Sequence, residues 1–389
     1  MQVACITRWD ELAGLAPHWN ALSKGVPFRS WCWLAAWWRH YGESPGRTGC
    51  RLFVLAVYDH DHRLAGLAPW YIDSQAARGR VVRFLGSGDV CSDYLSILAL
   101  AGREEQVAVA LADWLCGESP GDESVGRGWD ALSLCGVDAD DGITRHFVAA
   151  MRARGSLACR EAGANCWRIH LPATWDEYLA TLSKSHRKQL RRLQRRWFDT
   201  GRAALRLVHN EDDLGRGLAI LADLHQRRRQ ALGQAGRFAD DSFAAFHREA
   251  AGQLLQQGSL CLAWVDLDGR PVAVEYQVMG SDVVYAYQSG VDPAALDVEP
   301  GRLVMMATLR RAIEKGYRAF DLLRGDEPYK PHWRAQPRPS VQLTILPGRG
   351  TDWLKHGAWV ARQQVRAWVK AGWSLASLPT RTERARSQR

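Results

Sequence analysis

The chain has 389 residues, of which 47% are hydrophobic and 24% charged, enough to bury one large core or two smaller ones. No stretch approaches the ~18 uncharged apolar residues of a membrane span, and the start lacks a signal-peptide core, so we expect a cytoplasmic protein. The formal net charge is +9, and the nine cysteines form no CxxC pair, which argues against disulfides and zinc sites.

The first half of the chain predicts a unit rich in strands. A helix is expected over 31–41, with Ser30 as its N-cap and Gly42 as its end. The polar loop GSGDVCSDY contains Cys91; we interpret it as a spectator thiol because no base can be identified beside it, and a nucleophile is the alternative. The other elements expected in this half are strands over 51–58, 64–72, 81–85, 94–98 and 129–134 and a helix over 104–115.

The second half repeats this order of helices and strands. Its first helix is opened by a capping box, in which Thr174 and Glu177 are three residues apart. The predicted elements are helices over 175–198, 214–232 and 241–257 and a three-strand meander over 260–267, 271–279 and 283–288.

Basic side chains are concentrated on the first of these helices. Seven basic residues and no acid lie between Lys184 and Arg196. We expect Lys184, Arg187 and Arg191 to bind a phosphate-bearing substrate. Nucleic acid binding is the rival interpretation, although no helix-turn-helix, zinc-finger or RNP pattern occurs, and we expect no specific DNA binding.

The stretch from 285 to 333 has an unusual ending. A turn-rich loop over 290–301 precedes a helix that ends at Gly316, and a short apolar strand over 320–323 leads into the charged run RGDEPYK. A loop that feeds a helix N-terminus can bind an anion such as a diphosphate. The stretch has neither a Walker loop nor a GxGxxG pattern, so a simple crossover is the alternative.

The runs YQSG, PGRL, AIEKGY and FDLLRGDEPYKPHW resemble the GNAT-superfamily acetyltransferase domain associated with bacterial cellulose and exopolysaccharide synthesis. The resemblance extends to LSKSHRKQLRR and, more faintly, to PFRSWCWLAAWW. Such proteins are similar in fold to the Fem-type aminoacyltransferases of peptidoglycan bridges, which carry two GNAT units in tandem. The resemblance implies acyl transfer without a metal or redox cofactor.

An α+β fold of two GNAT-like units follows as our expectation. The echo between YDHDHRLAGLAPWY and VDLDGRPVAVEY supports a duplication. We expect an N-terminal unit over 1–160 for acceptor binding or scaffolding, a C-terminal acetyltransferase unit over 161–350, and a tail over 351–389. In the tail, 352–378 reads as a basic amphipathic helix; it packs on the body or, alternatively, contacts a membrane surface or a partner protein.

The resemblance also implies site residues. The donor would be acetyl-CoA or another acyl-CoA, and we assign its binding to Gln288, Ser289, Gly290, Gly301, Arg302 and Leu303. The strand at 285–288 would supply a backbone N–H to the thioester carbonyl.

The proton acceptor is predicted among two carboxylates. Glu275 stands within an apolar strand, where burial would raise its pKa, and a solvated strand face is the alternative. Asp326 is the second candidate, while Tyr287 and Tyr329 are candidate acids that also read as packing residues.

Three residues are predicted to meet the substrate from the loops. Arg324 and Lys330 suit a phosphate, with an ion pair between Asp321 and Arg324 as the alternative, and Asp93 is assigned to the acceptor.

Three functions remain open from the sequence. The first is transfer of an acetyl or other acyl group to an amine or hydroxyl of a cell-envelope or polysaccharide precursor, at the inner face of the membrane if it associates there. The second is aminoacyl transfer from charged tRNA, which would use the same basic helix. The third is a non-catalytic GNAT-fold binding protein.

Overall fold

The computed structural model describes residues 1–44, 49–75, 79–117 and 128–348, and the helix predicted over 352–378 lies outside them. The fold is α+β, as expected. The helices are α1 Trp9–Ala13, α2 Ala16–Leu22, α3 Trp31–Trp37, α4 Glu104–Cys116, α5 Gly142–Ala153, α6 Trp175–Thr181, α7 Lys184–Leu193, α8 Glu211–Ala231, α9 Asp241–Gln256 and α10 Pro300–Glu314.

The strands form three sheets. In chain order they are β1 Gln2–Ile6, β2 Cys50–Leu52, β3 Val54–Tyr58, β4 Leu64–Ala68, β5 Trp70–Gln75, β6 Gly79–Phe84, β7 Leu98–Ala99, β8 Ala131–Asp138, β9 Leu157–Ala162, β10 Cys166–His170, β11 Ala203–Leu207, β12 Leu260–Leu267, β13 Arg270–Met279, β14 Val283–Val291, β15 Ala319–Arg324, β16 Gln336–Arg338 and β17 Ser340–Leu346. The sheet orders are β1-β3-β4-β7, β2-β5-β6-β8-β17-β9 and β11-β12-β13-β14-β15-β10-β16.

Each half of the chain contains one parallel strand pair within otherwise antiparallel pairing. In the first unit β6 runs parallel to β8, and α4 connects them. In the second unit β14 runs parallel to β15, and α10 connects them. A parallel pair needs a crossover connection, which is why each of these two helices lies between its strands.

One strand from the second half of the chain enters the sheet of the first unit. β10 lies between β15 and β16 of the second unit, whereas β17, the last described strand, lies between β8 and β9 of the first. The first unit's sheet is therefore completed by a strand from the second half of the chain. The division predicted at residue 160 falls within β9, and it stays a prediction.

The single helix predicted over 175–198 is wrong. The capping box opens α6 as predicted, but Leu182 is extended, with φ −72° and ψ 157°. Ser183 then caps α7, because its hydroxyl accepts a hydrogen bond from the His186 N–H at 3.3 Å. A serine that caps a new helix competes with continuation of the old one. The predicted strand over 94–98 is also wrong, since only Leu98–Ala99 pairs.

The seven-stranded sheet is covered on both faces. On one face, Leu221 of α8 and Phe246 of α9 share a core with Tyr276. On the other, Leu309 of α10 shares a second core with Val284. Within the described residues, no helix is both long and apolar enough to cross a membrane.

Candidate functional site

A wedge opens between β14 and β15. Their parallel pairing covers Val283 to Tyr285 on one strand and Ala319 to Asp321 on the other. β14 continues for six more residues to Val291 without pairing to β15. The strands therefore diverge beyond Tyr285 and leave an unpaired edge of β14, as expected for the strand predicted to offer a backbone N–H.

A β-bulge lies at the start of this divergence. Tyr276 of β13 pairs with Gln288, and Gln277 pairs with Ala286, so Tyr287 has no opposite residue. Bulges re-aim a strand and are common beside active sites. The Tyr287 hydroxyl donates a hydrogen bond to the Val90 carbonyl of the first unit at 2.5 Å. Burial raises the pKa of Tyr287 well above its ordinary value, so the hydroxyl stays a donor.

The first unit closes one side of the wedge with its loop over 87–94. Asp93, 2% exposed, accepts hydrogen bonds from Arg324 Nε at 2.6 Å and from the Arg324 backbone N–H at 3.1 Å. Arg324 Nη2 also donates to the Ser92 carbonyl at 2.8 Å. Burial raises the pKa of Asp93, and the Arg324 guanidinium opposes this shift. The predicted substrate residues Asp93 and Arg324 thus bind each other, and the Asp321–Arg324 pair is not the one formed.

A second buried contact joins the units at Asp321, which is 0% exposed. Its Oδ2 accepts from the Tyr94 hydroxyl at 2.6 Å and from Arg168 Nε at 2.7 Å, and its Oδ1 accepts from the Leu323 N–H at 2.8 Å. Cys91, Tyr94 and Leu323 all have positive φ, at 51°, 60° and 54°. Such strained backbone persists only where surrounding contacts enforce it, and it clusters at functional sites.

Glu275 lies on the α10 face of the sheet, 6% exposed, rather than on a solvated face. Its Oε2 accepts from the Thr308 hydroxyl and from Gln277 Nε2, both at 2.7 Å. Among the described residues no arginine or lysine forms an ion pair with it. Burial therefore raises its pKa, and the two hydrogen bonds only partly oppose this.

The other acid-base candidates form no hydrogen bond with Glu275. Asp326 accepts from Asn165 Nδ2 at 3.1 Å and from Trp167 Nε1 at 3.0 Å, just beyond the end of β15. Tyr329 is 49% exposed. No hydrogen bond joins any two of the four predicted catalytic residues, all of which are described.

The predicted donor residues divide between strand and helix. Gln288, Ser289 and Gly290 belong to β14, and Gly290 is required there because a Cβ would approach the His225 backbone nitrogen to 2.5 Å. Leu303, 0% exposed, belongs to the core, so its side chain is not available to a ligand.

The N-terminus of α10 already has a carboxylate of the chain beside it. Glu299 precedes the helix, and its carboxylate binds Arg192 Nη2 at 2.8 Å, as well as Gln189 and Arg302. Gly301 in the first turn has only the Val291 side chain nearby, at 3.7 Å from an added Cβ. A loop leads into the N-terminus of α10, as expected from the sequence, and anion binding there stays a prediction.

Lys330 is buried in the loop that follows β15. Its Nζ donates to the carbonyls of Leu323, Arg324 and Gly325 at 3.0, 3.2 and 2.8 Å and pairs with Glu327 at 2.9 Å. The ammonium thus holds the loop, and its predicted contact with phosphate stays untested. By contrast, Lys184 and Arg191 are exposed on α7, while Arg187 is half-buried near the Ala180 carbonyl.

His225 and His247 lie behind the bulge and were not among the predicted site residues. His225 Nδ1 lies 3.0 Å from the Ser289 carbonyl, and its Nε2 has no hydrogen-bond partner among the described residues. His247 Nε2 lies 3.4 Å from the Tyr287 hydroxyl, and burial lowers the pKa of His247 to about 3. Arg168 was missed too, although a charge in the apolar strand CWRIH, like Asp321 in FDLL, signals a buried partner.

Metal binding has one geometric candidate among the described residues. Asp59, His60 and Asp61 could share an ion, but they form an exposed turn between β3 and β4, outside the wedge.

Residues 184–331 match the family model of the acetyltransferase (GNAT) domain. No curated protein matches the chain. Among solved structures, FemX is similar over 88% of this chain and 97% of its own, with a TM-score of 0.61 and 12% identity. A conserved protein of unknown function from Bacteroides thetaiotaomicron is similar over 89% of this chain and 100% of its own, with a TM-score of 0.55 and 11% identity.

At these identities the structural likenesses concern the fold alone. The matched segment runs from α7 to the loop after β15, and it contains the wedge, the bulge and α10. The expected fold of two GNAT-like units is confirmed, and the segment that matches the GNAT-domain model lies within the second unit. The predicted link to cellulose or exopolysaccharide synthesis is a finer statement that these likenesses do not address.

Proposed function

We propose that this protein is an acyltransferase that moves an acetyl or other acyl group from a CoA thioester to an amine or hydroxyl of a cell-envelope or polysaccharide precursor. The observation that carries the proposal is the wedge between β14 and β15 with a bulge at Tyr287. A thioester carbonyl inserted there would accept a backbone N–H from the unpaired edge of β14. Such a donor stabilises the oxyanion as the acceptor attacks.

The transfer step involves two proton transfers: the acceptor gives a proton to a base, and the leaving thiolate takes one up. The acceptor nitrogen or oxygen forms a bond to the carbonyl carbon, the C–S bond breaks, and the thiolate takes a proton. Glu275 and Asp326 are the candidate bases for the proton of the acceptor. Losing a general base costs roughly 10²–10⁴-fold in rate.

Glu275→Gln and Asp326→Asn are therefore to be compared with Cys91→Ala in acyl transfer assays. Near-full activity in both carboxamide variants with a dead Cys91→Ala variant would replace direct attack by a covalent mechanism.

Aminoacyl transfer from charged tRNA is the second candidate. One feature suits it: the exposed basic side chains of α7 extend beside the N-terminus of α10. Arg192 bridges the two, since it belongs to α7 and binds Glu299.

Calorimetry with acetyl-CoA tests the donor. Gly301→Asp places a carboxylate in the first turn of α10, where it suits the helix dipole but repels a diphosphate. Gly252→Asp, inside α9 where an added Cβ meets nothing within 4 Å, is the matched control. We expect acetyl-CoA to bind the native chain and the control, and binding to Gly301→Asp to weaken by about tenfold or more.

The failing outcomes are distinct. No binding of any acyl-CoA at millimolar concentration to the folded protein, together with acyl transfer from aminoacyl-tRNA, would establish the second donor. If neither donor supports acyl transfer, the third function, that of a non-catalytic GNAT-fold binding protein, would remain.

A further inference from the structure

A cavity of about 240 Å³ lies in the first unit, and its wall contains no second-unit residue. It is smaller than the ~300–1,000 Å³ of pockets for drug-sized ligands, so it suits a small molecule. Its wall contains two cations, Lys24 and Arg29, two anions, Glu104 and Asp141, and the imidazole of His146. Lys24 and Glu104 pair with each other at 2.6 Å, which leaves Arg29 and Asp141 to face the ligand.

Arg29 lies in this wall, and only one of its side-chain N–H groups has a hydrogen-bond acceptor in the described part of the chain. It is 9% exposed, and its Nε donates to the Tyr94 carbonyl. Of its five N–H groups, the four on the terminal nitrogens make no hydrogen bond to any described residue. Its Nη2 lies 3.8 Å from Asp141 Oδ1, beyond hydrogen-bond distance. These N–H groups can therefore donate to a molecule that enters the cavity.

The Asp141 carboxylate has one oxygen without a donor at hydrogen-bond distance among the described residues. Its Oδ2 accepts from the Ser96 hydroxyl at 2.8 Å, from the Thr144 N–H at 3.2 Å and from the Thr144 hydroxyl at 2.5 Å. Its Oδ1 has only the long approach to Arg29. In one wall of the cavity, Asp141 Oδ1 therefore lacks a close donor, and the terminal nitrogens of Arg29 beside it lack an acceptor, as far as the described residues go.

We propose that this cavity binds a free α-amino acid with a small side chain. The ligand carboxylate would pair with the terminal nitrogens of Arg29, whose fork geometry matches two oxygens. The ammonium, one carbon away, would bind Asp141 Oδ1. Ile97 and Ile143 supply apolar wall for the side chain.

The charges of the wall select this class of ligand. Two cations and two anions sum to zero, so a zwitterion enters without a net charge. A phosphate dianion would meet the carboxylates of Glu104 and Asp141, and an amine alone would leave Arg29 unpaired. The inference goes beyond acyl transfer and does not rest on it, because no residue of the wedge takes part.

Calorimetry and thermal shift with glycine, alanine and serine test the proposal on the full chain, with acetate, methylammonium and inorganic phosphate as partial ligands. We expect the amino acids to bind and each partial ligand to bind at least about tenfold more weakly. Asp141→Asn removes the charge but keeps a residue able to cap α5, and Asp140→Asn next to it is the matched control. Arg29→Lys keeps the buried charge and removes the fork.

We expect about tenfold weaker binding, or more, in Asp141→Asn and Arg29→Lys and native binding in Asp140→Asn. No binding of any small amino acid at millimolar concentration would overturn the proposal. Native affinity in both Asp141→Asn and Arg29→Lys would place any binding elsewhere and would overturn it too. Acetate binding as tightly as alanine would show that the site takes simple carboxylates instead.

Discussion

The Asp93 carboxylate of the first unit accepts both the Nε–H and the backbone N–H of Arg324 in the second, at 2.6 and 3.1 Å. The same loop closes the first unit's own parallel pair, because the Leu95 N–H donates to the Gly136 carbonyl of β8 at 3.0 Å. A Cβ on Gly136 would come within 2.9 Å of the Ser92 carbonyl. The loop that borders the wedge of the second unit therefore also packs against the parallel strand pair of the first unit.

Replacing Asp93 should loosen the two units. Asp93→Ala leaves Arg324 with the Ser92 carbonyl alone, and we expect the free energy of unfolding in urea to fall by about 2 kcal/mol, as when a hydrogen bond to a charged group is removed. Asp89→Ala is the matched control, because its pair with Arg237 is half-exposed and should contribute at most about 1 kcal/mol. Equal decreases in the two variants would contradict a structural role for the Asp93 carboxylate.

Replacing Lys330 should damage the loop after β15. Lys330→Met leaves three carbonyls and Glu327 without their shared donor, so we expect the unfolding free energy to fall by about 3 kcal/mol. Lys188→Met on exposed α7 should change it by no more than about 0.5 kcal/mol. If Lys330→Met is as stable as the native chain but binds a phosphate-bearing donor more weakly, the role predicted from sequence is the correct one.

Local signals in the sequence predicted local structure. Ser30 caps α3 by accepting the Trp33 N–H, and the Thr174–Glu177 capping box forms. The β12–β13–β14 meander also forms, since alternating patterns and short turns act over a few residues.

Contacts between distant residues were not predictable in this way. The Tyr94–Asp321 hydrogen bond spans 227 positions, and β17 of the second half pairs with β8 of the first unit. Nothing in the pattern of either strand specifies its partner, because period-2 alternation fixes a face and not a neighbour. The sequence placed Asp93 of the first unit at the candidate site, but it did not predict that Asp93 pairs with Arg324 or that Tyr94 contacts Asp321.

The stability of the native chain should depend on pH through Glu275. Burial raises its folded-state pKa above the ordinary value of 4.5, so the folded state holds the proton more tightly than the unfolded state. Stability is then full below the ordinary value and falls as pH rises towards the folded pKa, by at most about 1.4 kcal/mol per pH unit.

Glu275→Gln removes this dependence and keeps the shape of the side chain. We expect the variant to gain stability relative to the native chain as pH rises from 4 to 8, measured by urea unfolding at each pH. Glu314→Gln, on the exposed face of α10, should show no such trend. A native chain that gains stability relative to Glu275→Gln over this range would show that Glu275 is ionised in the fold.

The exposed basic side chains of α7 should bind phosphate groups of the substrate. We expect replacement of Lys184, Arg187 and Arg191 by alanine to raise the KM of the phosphate-bearing substrate. The unfolding free energy should change little, because Lys184 and Arg191 are exposed and the half-buried Arg187 loses only long contacts, of 3.4 and 3.5 Å, to two carbonyls. The matched control replaces exposed Arg8, Arg63 and Arg270, which lowers the net charge equally.

The salt dependence of binding distinguishes the two donors. If the substrate is a nucleic acid such as tRNA, the plot of log affinity against log salt should be steep, and the triple α7 variant should flatten its slope by about 0.7–0.9 for each phosphate group that the replaced side chains had neutralised. A small phosphorylated acceptor would give a shallow slope in both proteins and a KM effect alone. Equal effects of the α7 variant and its control would show that binding depends on the net charge of the protein and not on α7. Tight sequence-specific binding of duplex DNA would contradict the assignment of α7 to a substrate phosphate.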